Sequence, residues 1–424
     1  MSKSRKPLTA ALDIGTSKVC CLIAELGDDC APRIIGIGHQ VSKGIKGGSI
    51  VDMEAARNAV RAVVHTAEEM ADATITGVVV NVSAGDPRSA RTNAEVTVPG
   101  HQVSKADLRR LLDQGQQWRN GVEREVIHAI PVAFSLDGTR GIKDPSGMAA
   151  QRLGVDMHLV TAEPSAIQNL KSCVAGCHLE CEALVASPYA AGLGCLTIDE
   201  TELGVTIIDM GGGTTTLASF EEGELVFTGR VPVGGRHVSA DLAHGLATPL
   251  ADAERIKTLF GTAVATSSDG DRLIGVPQIA GDLSDEIGQA SRAEIAGMIG
   301  PRIEETFELM AELIERDGPG VASIRRIILT GGASQLQGVA EITGNIFGVQ
   351  VRLGRPAPIT ALAESVSGPA FAVAAGLLHY AMAPPGTGGK RASQHSPSHH
   401  HPSHHNTGSA GLFVRIGQWL HEYF

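Results

Sequence analysis

Two short glycine turns constrain this chain more than anything else in it: DIGTSK at 13–18 and DMGGGTT at 209–215. Each follows an apolar run and leads directly into another, so each reads as a strand–turn–strand unit. A unit repeated about two hundred residues apart reads as a duplicated α/β lobe. Glycines without a Cβ let backbone N–H groups approach phosphate oxygens, and Thr or Ser hydroxyls add donors. An aspartate at the head of each turn suits a hydrated Mg²⁺. Neither turn is a Walker P-loop, and alone each is an ordinary hairpin.

The rest of each lobe can be traced around its turn. After the first come a strand in IIGIGHQV, a helix in VDMEAARNAVRAVVHTAEEMA and a buried strand in GVVVNVS. From about 86 to 161 the texture changes to alternating strands with one helix, SKADLRRLLDQGQQ, which reads as an inserted α+β unit. A helix from Pro164 to Cys173 and the strand LECEALVAS resume the first pattern. The second turn leads to two further strands, a helical region from His237 to Asp317, strands in RRIILTGG and VQVRLGR, and a long helix from Gly368 to Met382.

Composition removes several function classes. Asp and Glu total 46 against 35 Lys and Arg, giving −11, which argues against general nucleic-acid binding. Seven cysteines lie without a framework, as expected in a reducing cytoplasm. Cys173, Cys177 and Cys181 have ligand-like spacing, but Gly176 should end a helix between them, so they read as small apolar fillers. No apolar run reaches the ~18–20 residues of a membrane span, and no signal-peptide core precedes Asp13.

A third turn, LTGGASQLQG at 329–338, completes a set. In this order the three turns resemble the two phosphate motifs and the adenosine motif of the actin/Hsp70/sugar-kinase superfamily, whose duplicated lobes clamp ATP. The resemblance reaches Met382 and implies an α/β, actin-like two-lobed ATPase fold. It implies that Gly15, Thr16, Ser17 and Lys18, with Gly211, Gly212, Gly213 and Thr214, surround the phosphates of ATP. Asp13 and Asp209 would orient Mg²⁺ through water. Gly234 and Gly235 join the nucleotide contacts, Gly331, Gly332 and Ala333 pass beside the adenine, and Glu254 and Lys257 match the ribose and adenine contacts.

The insertion sets the branch. VIHAIPVAFSLDGTRGIKDPSGMAAQRLGVDMHLVTA resembles the extra SHS2-like domain of the FtsA family of bacterial division proteins, and VTIIDMGGGTTTLASFEEGELVFTGRVPVGG is similar to that family too. The resemblance implies a protein that self-polymerises at the division septum and tethers FtsZ to the cytoplasmic face of the inner membrane. It implies lobes at 1–85 with 162–200 and 367–383, and at 201–230 with 322–366, plus a helical subdomain at 231–321. The inserted domain, 86–161, would meet neighbouring subunits and late division proteins. The helix in SRAEIAGMIGPRIEETFELMAELIE would receive the FtsZ tail, with Arg292 and Arg302 pairing its acidic residues. Around Ser187 no carboxylate stands where filament-forming relatives position the attacking water, so tight ATP binding with slow or negligible turnover is expected, and no residue is assigned a catalytic role. The alternatives are a pilus-assembly scaffold of the PilM kind and an actin-fold small-molecule kinase.

Residues 384–410 are rich in Pro, Gly, Ser and His and read as a flexible linker. The last segment, GLFVRIGQWLHEYF at 411–424, has helical amphipathy. Leu412, Phe413, Ile416, Trp419, Leu420, Tyr423 and Phe424 fall within an arc of roughly 140°. Fourteen residues are marginal as an isolated helix, so a membrane surface or a protein groove is needed to support it. Half-burial of seven such side chains contributes about 5–10 kcal/mol before ordering costs, which suits a reversible interfacial anchor.

Overall fold

The computed structural model describes residues 8–26, 32–100, 102–117, 123–279 and 287–382; the expected linker and terminal membrane helix lie outside them. Strands β1 (Leu8–Ile14), β2 (Lys18–Leu26) and β3 (Pro32–Val41) form a meander, followed by the short hairpin β4 (Ile45–Lys46) and β5 (Ser49–Ile50). Helix α1 (Met53–Ala71) starts at Asp52, whose side chain accepts from Ala55 N, and buries its Ala56, Val60, Val63 and Ala67 face. Strand β6 (Gly77–Val82) then pairs parallel to β1.

The inserted unit is a four-stranded antiparallel sheet with one helix. It comprises β7 (Arg88–Thr97), α2 (Lys105–Gln116), β8 (Glu125–Leu136), β9 (Thr139–Ile142) and β10 (Arg152–Ala162), in the order β7-β10-β8-β9. A reciprocal Ser104/Asp107 capping box starts α2, and Leu108, Leu111 and Leu112 fix it to the sheet through a separate small core. The chain then returns through α3 (Pro164–Ala175), β11 (Glu180–Ala186), α4 (Ser187–Cys195) and α5 (Ile198–Leu203).

The second lobe repeats the first. Strands β12 (Val205–Met210), β13 (Thr215–Glu221) and β14 (Glu224–Val231) form its meander. Helices α6 (Gly235–Gly245) and α7 (Leu250–Phe260), the hairpin β15 (Leu273–Pro277) and β16 (Ile287–Ser291), and α8 (Arg292–Asp317) build a subdomain on it. Strand β17 (Arg326–Thr330), α9 (Val339–Phe347), β18 (Gln350–Leu353) and α10 (Ala372–Met382) complete the described chain.

The two main sheets have the same topology. The first runs β11-β6-β1-β2-β3 and the second, read from its far edge, β18-β17-β12-β13-β14. In the first, Asp13 lies opposite Cys20 and Ile14 opposite Val19; in the second, Asp209 lies opposite Thr216 and Met210 opposite Thr215. The duplication therefore extends to strand register. Helices α4 and α10 pack together between the sheets in a core that also takes Val160 of the inserted unit.

Two local expectations change. The region read as helical, 237–317, contains the β15–β16 hairpin, whose five-residue strands are too short to show a clear period. The helix expected from Gly368 becomes α-helical at Ala372, after a 3₁₀ turn at Pro369–Phe371. The Pro369 carbonyl accepts from Gly331 N and Thr330 Oγ1, both at 3.1 Å, which ties this turn to the end of β17.

Candidate functional site: a cavity between two lobes

The β1–β2 and β12–β13 turns are built alike. Gly15 N donates to Lys18 O and Gly211 N donates to Thr214 O, each at 2.9 Å. The turns meet face to face across the gap between the lobes. A Cβ on Gly212 would collide with Ser17 Oγ, and one on Gly213 would lie 2.7 Å from Thr16 Oγ1. Only glycine permits that approach, which leaves backbone rather than side chain at the bottom of the cleft.

A cavity of about 640 Å³ opens above them. It is lined by Asp13, Gly15, Thr16, Ser17, Lys18, Asp209, Gly211, Gly212, Gly213, Thr214, Gly235, Glu254, Lys257, Gly331, Gly332 and Ala333. The structure thus gathers the residues singled out by the three turns, and Glu254 and Lys257, around one space. Gly234 stands behind the lining: it packs against Gly211 O and Thr214 N, bracing the second turn. The volume falls within the ~300–1,000 Å³ range of small-molecule sites.

Charge is concentrated at the cavity floor. Lys18 Nζ lies 2.8 Å from Asp13 Oδ2 and 4.7 Å from the centre of the Phe371 ring. Burial works against the Lys18 charge, but Asp13, Cys20 and Asp209 outweigh it and raise the lysine's pKa. Burial pushes the Asp209 carboxyl up to about 7, with Asp13 adding to the effect and Lys18 opposing it. Two carboxyls facing one ammonium fit a site that takes a hydrated divalent cation, since such a cation supplies the missing positive charge. The glycine cradle, its hydroxyls and these carboxyls together fit a metal-bound polyphosphate.

The upper wall comes from the second lobe. On α7, Lys257 Nζ donates to Glu254 Oε2 at 2.8 Å, to Gly235 O at 3.0 Å and to Ser239 Oγ at 2.9 Å, and Ser239 Oγ also donates to Glu254. Burial would raise the Glu254 pKa, but the Lys257 and Ser239 hydrogen bonds hold it below the ordinary value.

Arg292 also lines this wall. Its Nε donates to Phe260 O at 3.0 Å, its Nη1 to Asp269 Oδ1 at 2.8 Å and its Nη2 to the Gln337 side chain. Thr266 hydrogen bonds, followed by Arg292, pull the Asp269 carboxyl down to about 2. Arg292 therefore faces the inside of the lobe rather than an open helix surface. Arg302, the other residue expected to meet a partner, is half-buried and paired bidentately with Asp241 at 2.6 and 3.0 Å, and with Glu305. The structure separates the two arginines that the sequence grouped.

Among the cavity residues that escape the motifs, two polar ones stand out. Asn81 accepts from Ile14 N at 2.7 Å and donates to Ser187 Oγ at 3.1 Å, joining the first turn to the start of α4. The signal was present as a lone amide in the apolar strand GVVVNVS. Arg236 lines the cavity from the first turn of α6, directly after the Gly234–Gly235 pair.

A family model described as the SHS2 domain inserted in FtsA matches residues 84–161, and one for cell division protein FtsA matches 206–376. Among solved structures, a PilM–PilN type IV pilus biogenesis complex is similar with a TM-score of 0.60 at 16% identity, covering 88% of this chain and 98% of that one. MreB5 of Spiroplasma citri bound to ADP is similar with a TM-score of 0.53 at 17% identity, covering 88% and 95%. At such identities the likeness shows the fold alone. Together the duplicated sheets, the interlobe cavity and the inserted domain define a protein of the actin-like two-lobed fold with an SHS2-type insertion.

The curated relatives are more specific. Cell division protein FtsA of Agrobacterium fabrum is 41% identical over all of this chain and 96% of the relative. The Neisseria meningitidis protein of that name is 33% identical, covering 98% of each chain, and that of Escherichia coli K12 is 31% identical, covering 99% of each. This chain belongs to the FtsA family of cell division proteins.

Proposed function

We propose that the cavity binds ATP with Mg²⁺ and that the protein links FtsZ filaments to the cytoplasmic face of the inner membrane at the septum. The observation that carries this reading is the convergence of three glycine turns on one cavity, in a chain of the FtsA family. In this role Gly15, Thr16 and Ser17, with Gly212, Gly213 and Thr214, hold the phosphates, and Asp13 and Asp209 orient the cation through water. Bound Mg²⁺ supplies positive charge at the cavity floor. Glu254 and Lys257 meet the ribose and adenine, beside the backbone of Gly331, Gly332 and Ala333.

The body joins itself into filaments, the inserted domain meets neighbouring subunits and late division proteins, and α8 receives the FtsZ tail. Lipid attachment rests on the sequence pattern of Leu412, Phe413, Ile416, Trp419, Leu420, Tyr423 and Phe424. No described helix is long and apolar enough to cross a membrane, in keeping with attachment at the surface. Flotation with anionic vesicles, with and without residues 411–424 and with and without ATP, tests the reading. The intact protein should float and the truncated one should sediment. Equal flotation of the two would overturn the membrane role, and absence of ATP binding to either would overturn the nucleotide role.

A further inference from the structure

We propose that Arg236 binds the polyphosphate of the cavity's nucleotide. This deepens the nucleotide reading above and rests on it. Four cationic side chains line the cavity: Lys18, Arg236, Lys257 and Arg292. Three are engaged. Lys18 pairs with Asp13 and sits over Phe371, Lys257 is held by Glu254, Ser239 and Gly235 O, and Arg292 by Asp269, Gln337 and Phe260 O. Arg236 is exposed, and its guanidinium makes no hydrogen bond or ion pair among the described residues.

Its backbone fixes where it can act. Arg236 N donates to Gly212 O at 2.8 Å, so the residue is tied to the second glycine turn. The neighbouring amides are occupied as well: Gly235 N donates to Gly211 O at 2.9 Å, and His237 N to Gly234 O at 2.9 Å. The start of α6 therefore has few N–H groups left for an anion, and the side chain is the remaining donor. Its charge reaches Glu254 on the same wall without forming an ion pair.

Asp13, Asp209 and Glu254 all border this space, so an incoming polyphosphate meets carboxyls as well as glycine backbone. A planar, permanently charged guanidinium on the wall of this space offsets that repulsion and can grip two phosphate oxygens at once.

The test is to titrate wild-type protein, R236Q and R236K with ATP, ADP and adenosine at fixed Mg²⁺ and salt, with thermal melts of the free proteins as the folding control. R236Q should melt like wild type, bind ATP and ADP about tenfold or more weakly, and bind adenosine as wild type does. R236K should recover part of the loss, and added salt should narrow the gap. Unchanged ATP affinity in R236Q, or an equal loss for adenosine, would overturn the assignment while leaving the cavity a nucleotide site. If wild-type protein binds none of the three ligands, the nucleotide reading falls, and this inference with it.

Discussion

Gly376 of α10 presses so closely on Ala190 of α4 that a Cβ at position 376 would overlap the Ala190 carbonyl oxygen. The same crossing is tight from the other side, where a Cβ on Gly194 would strike the Ala372 carbonyl. These helices form the packed layer between the two main sheets, and Val373 near the start of α10 reaches the cavity wall.

G376A should therefore destabilise the protein by about 1–3 kcal/mol, because relief requires two helix backbones to move apart. It should also weaken nucleotide binding, since the α10 end of the cavity shifts with the helix. Urea denaturation and an ATP titration check both effects. A G376A protein with wild-type midpoint and affinity would show that the crossing is looser than its geometry.

The two-lobed design was legible in the sequence because its signal is local. An aspartate two residues before a glycine, between apolar runs, marks both turns, and the structure repeats even the strand register around them. What escaped depends on contacts distant along the chain. Arg292 and Arg302 look equivalent on one helix, yet Asp269 and Gln337 draw the first inward, while Asp241 holds the second. Pro369 starts a 3₁₀ turn rather than the helix itself, with its carbonyl tied to Thr330 and Gly331. No pattern within either segment carries that information.

Glu224 predicts a specific pH dependence. It is 4% exposed, its Oε1 lacks a hydrogen-bond partner, and burial pushes its carboxyl up to about 8, with Glu202 adding and Lys143 opposing. The folded state therefore keeps a proton that the unfolded state releases, so stability is lost as pH rises from about 4.5 toward 8. Two histidines act with the opposite sign but lower down. Burial lowers His128 to about 4 and His158 to about 3, so the stability they add as pH rises is mostly in place by about 6.5 and fades out by about 7.5, where they are neutral in either state. Between pH 6.5 and 8 the falling arm belongs to Glu224, with Asp209 sharing it up to about 7. Unfolding free energy should drop by about 1–2 kcal/mol over that window, and E224Q should remove most of the drop. An E224Q protein with the wild-type slope would refute this.

Ser187 bears on turnover. The residue is 3% exposed and its hydroxyl accepts from Asn81, and α4, SPYAAGLGC, offers no carboxylate to orient water. The glutamate and glutamines that line the cavity, Glu254, Gln335 and Gln337, belong to the wall expected to hold the adenosine. Phosphate release should run well below about 1 s⁻¹ while ATP stays bound. N81A should weaken nucleotide binding several-fold, because Ile14 N loses its acceptor beside the first turn. Turnover above that rate would mean that another group positions the water.

Arg302 and Arg292 should respond differently to charge reversal. An acidic tail that uses Arg302 must compete with Asp241, which already holds the guanidinium through two hydrogen bonds. D241N should loosen that guanidinium, leaving Glu305 as its charged partner, and raise the affinity of an FtsZ-tail peptide several-fold, while R302E should lower it about tenfold or more. Neither change should alter ATP affinity, because Arg302 does not line the cavity. R292E acts elsewhere. It sets a carboxylate against Asp269 and releases Gln337 and Phe260 from their shared clamp, so ATP affinity should fall whether or not the tail binds. Peptide anisotropy and nucleotide titration on the same three variants separate the effects. If R302E retains the peptide, the tail docks away from this arginine; if R292E retains ATP affinity, the clamp does not shape the cavity wall.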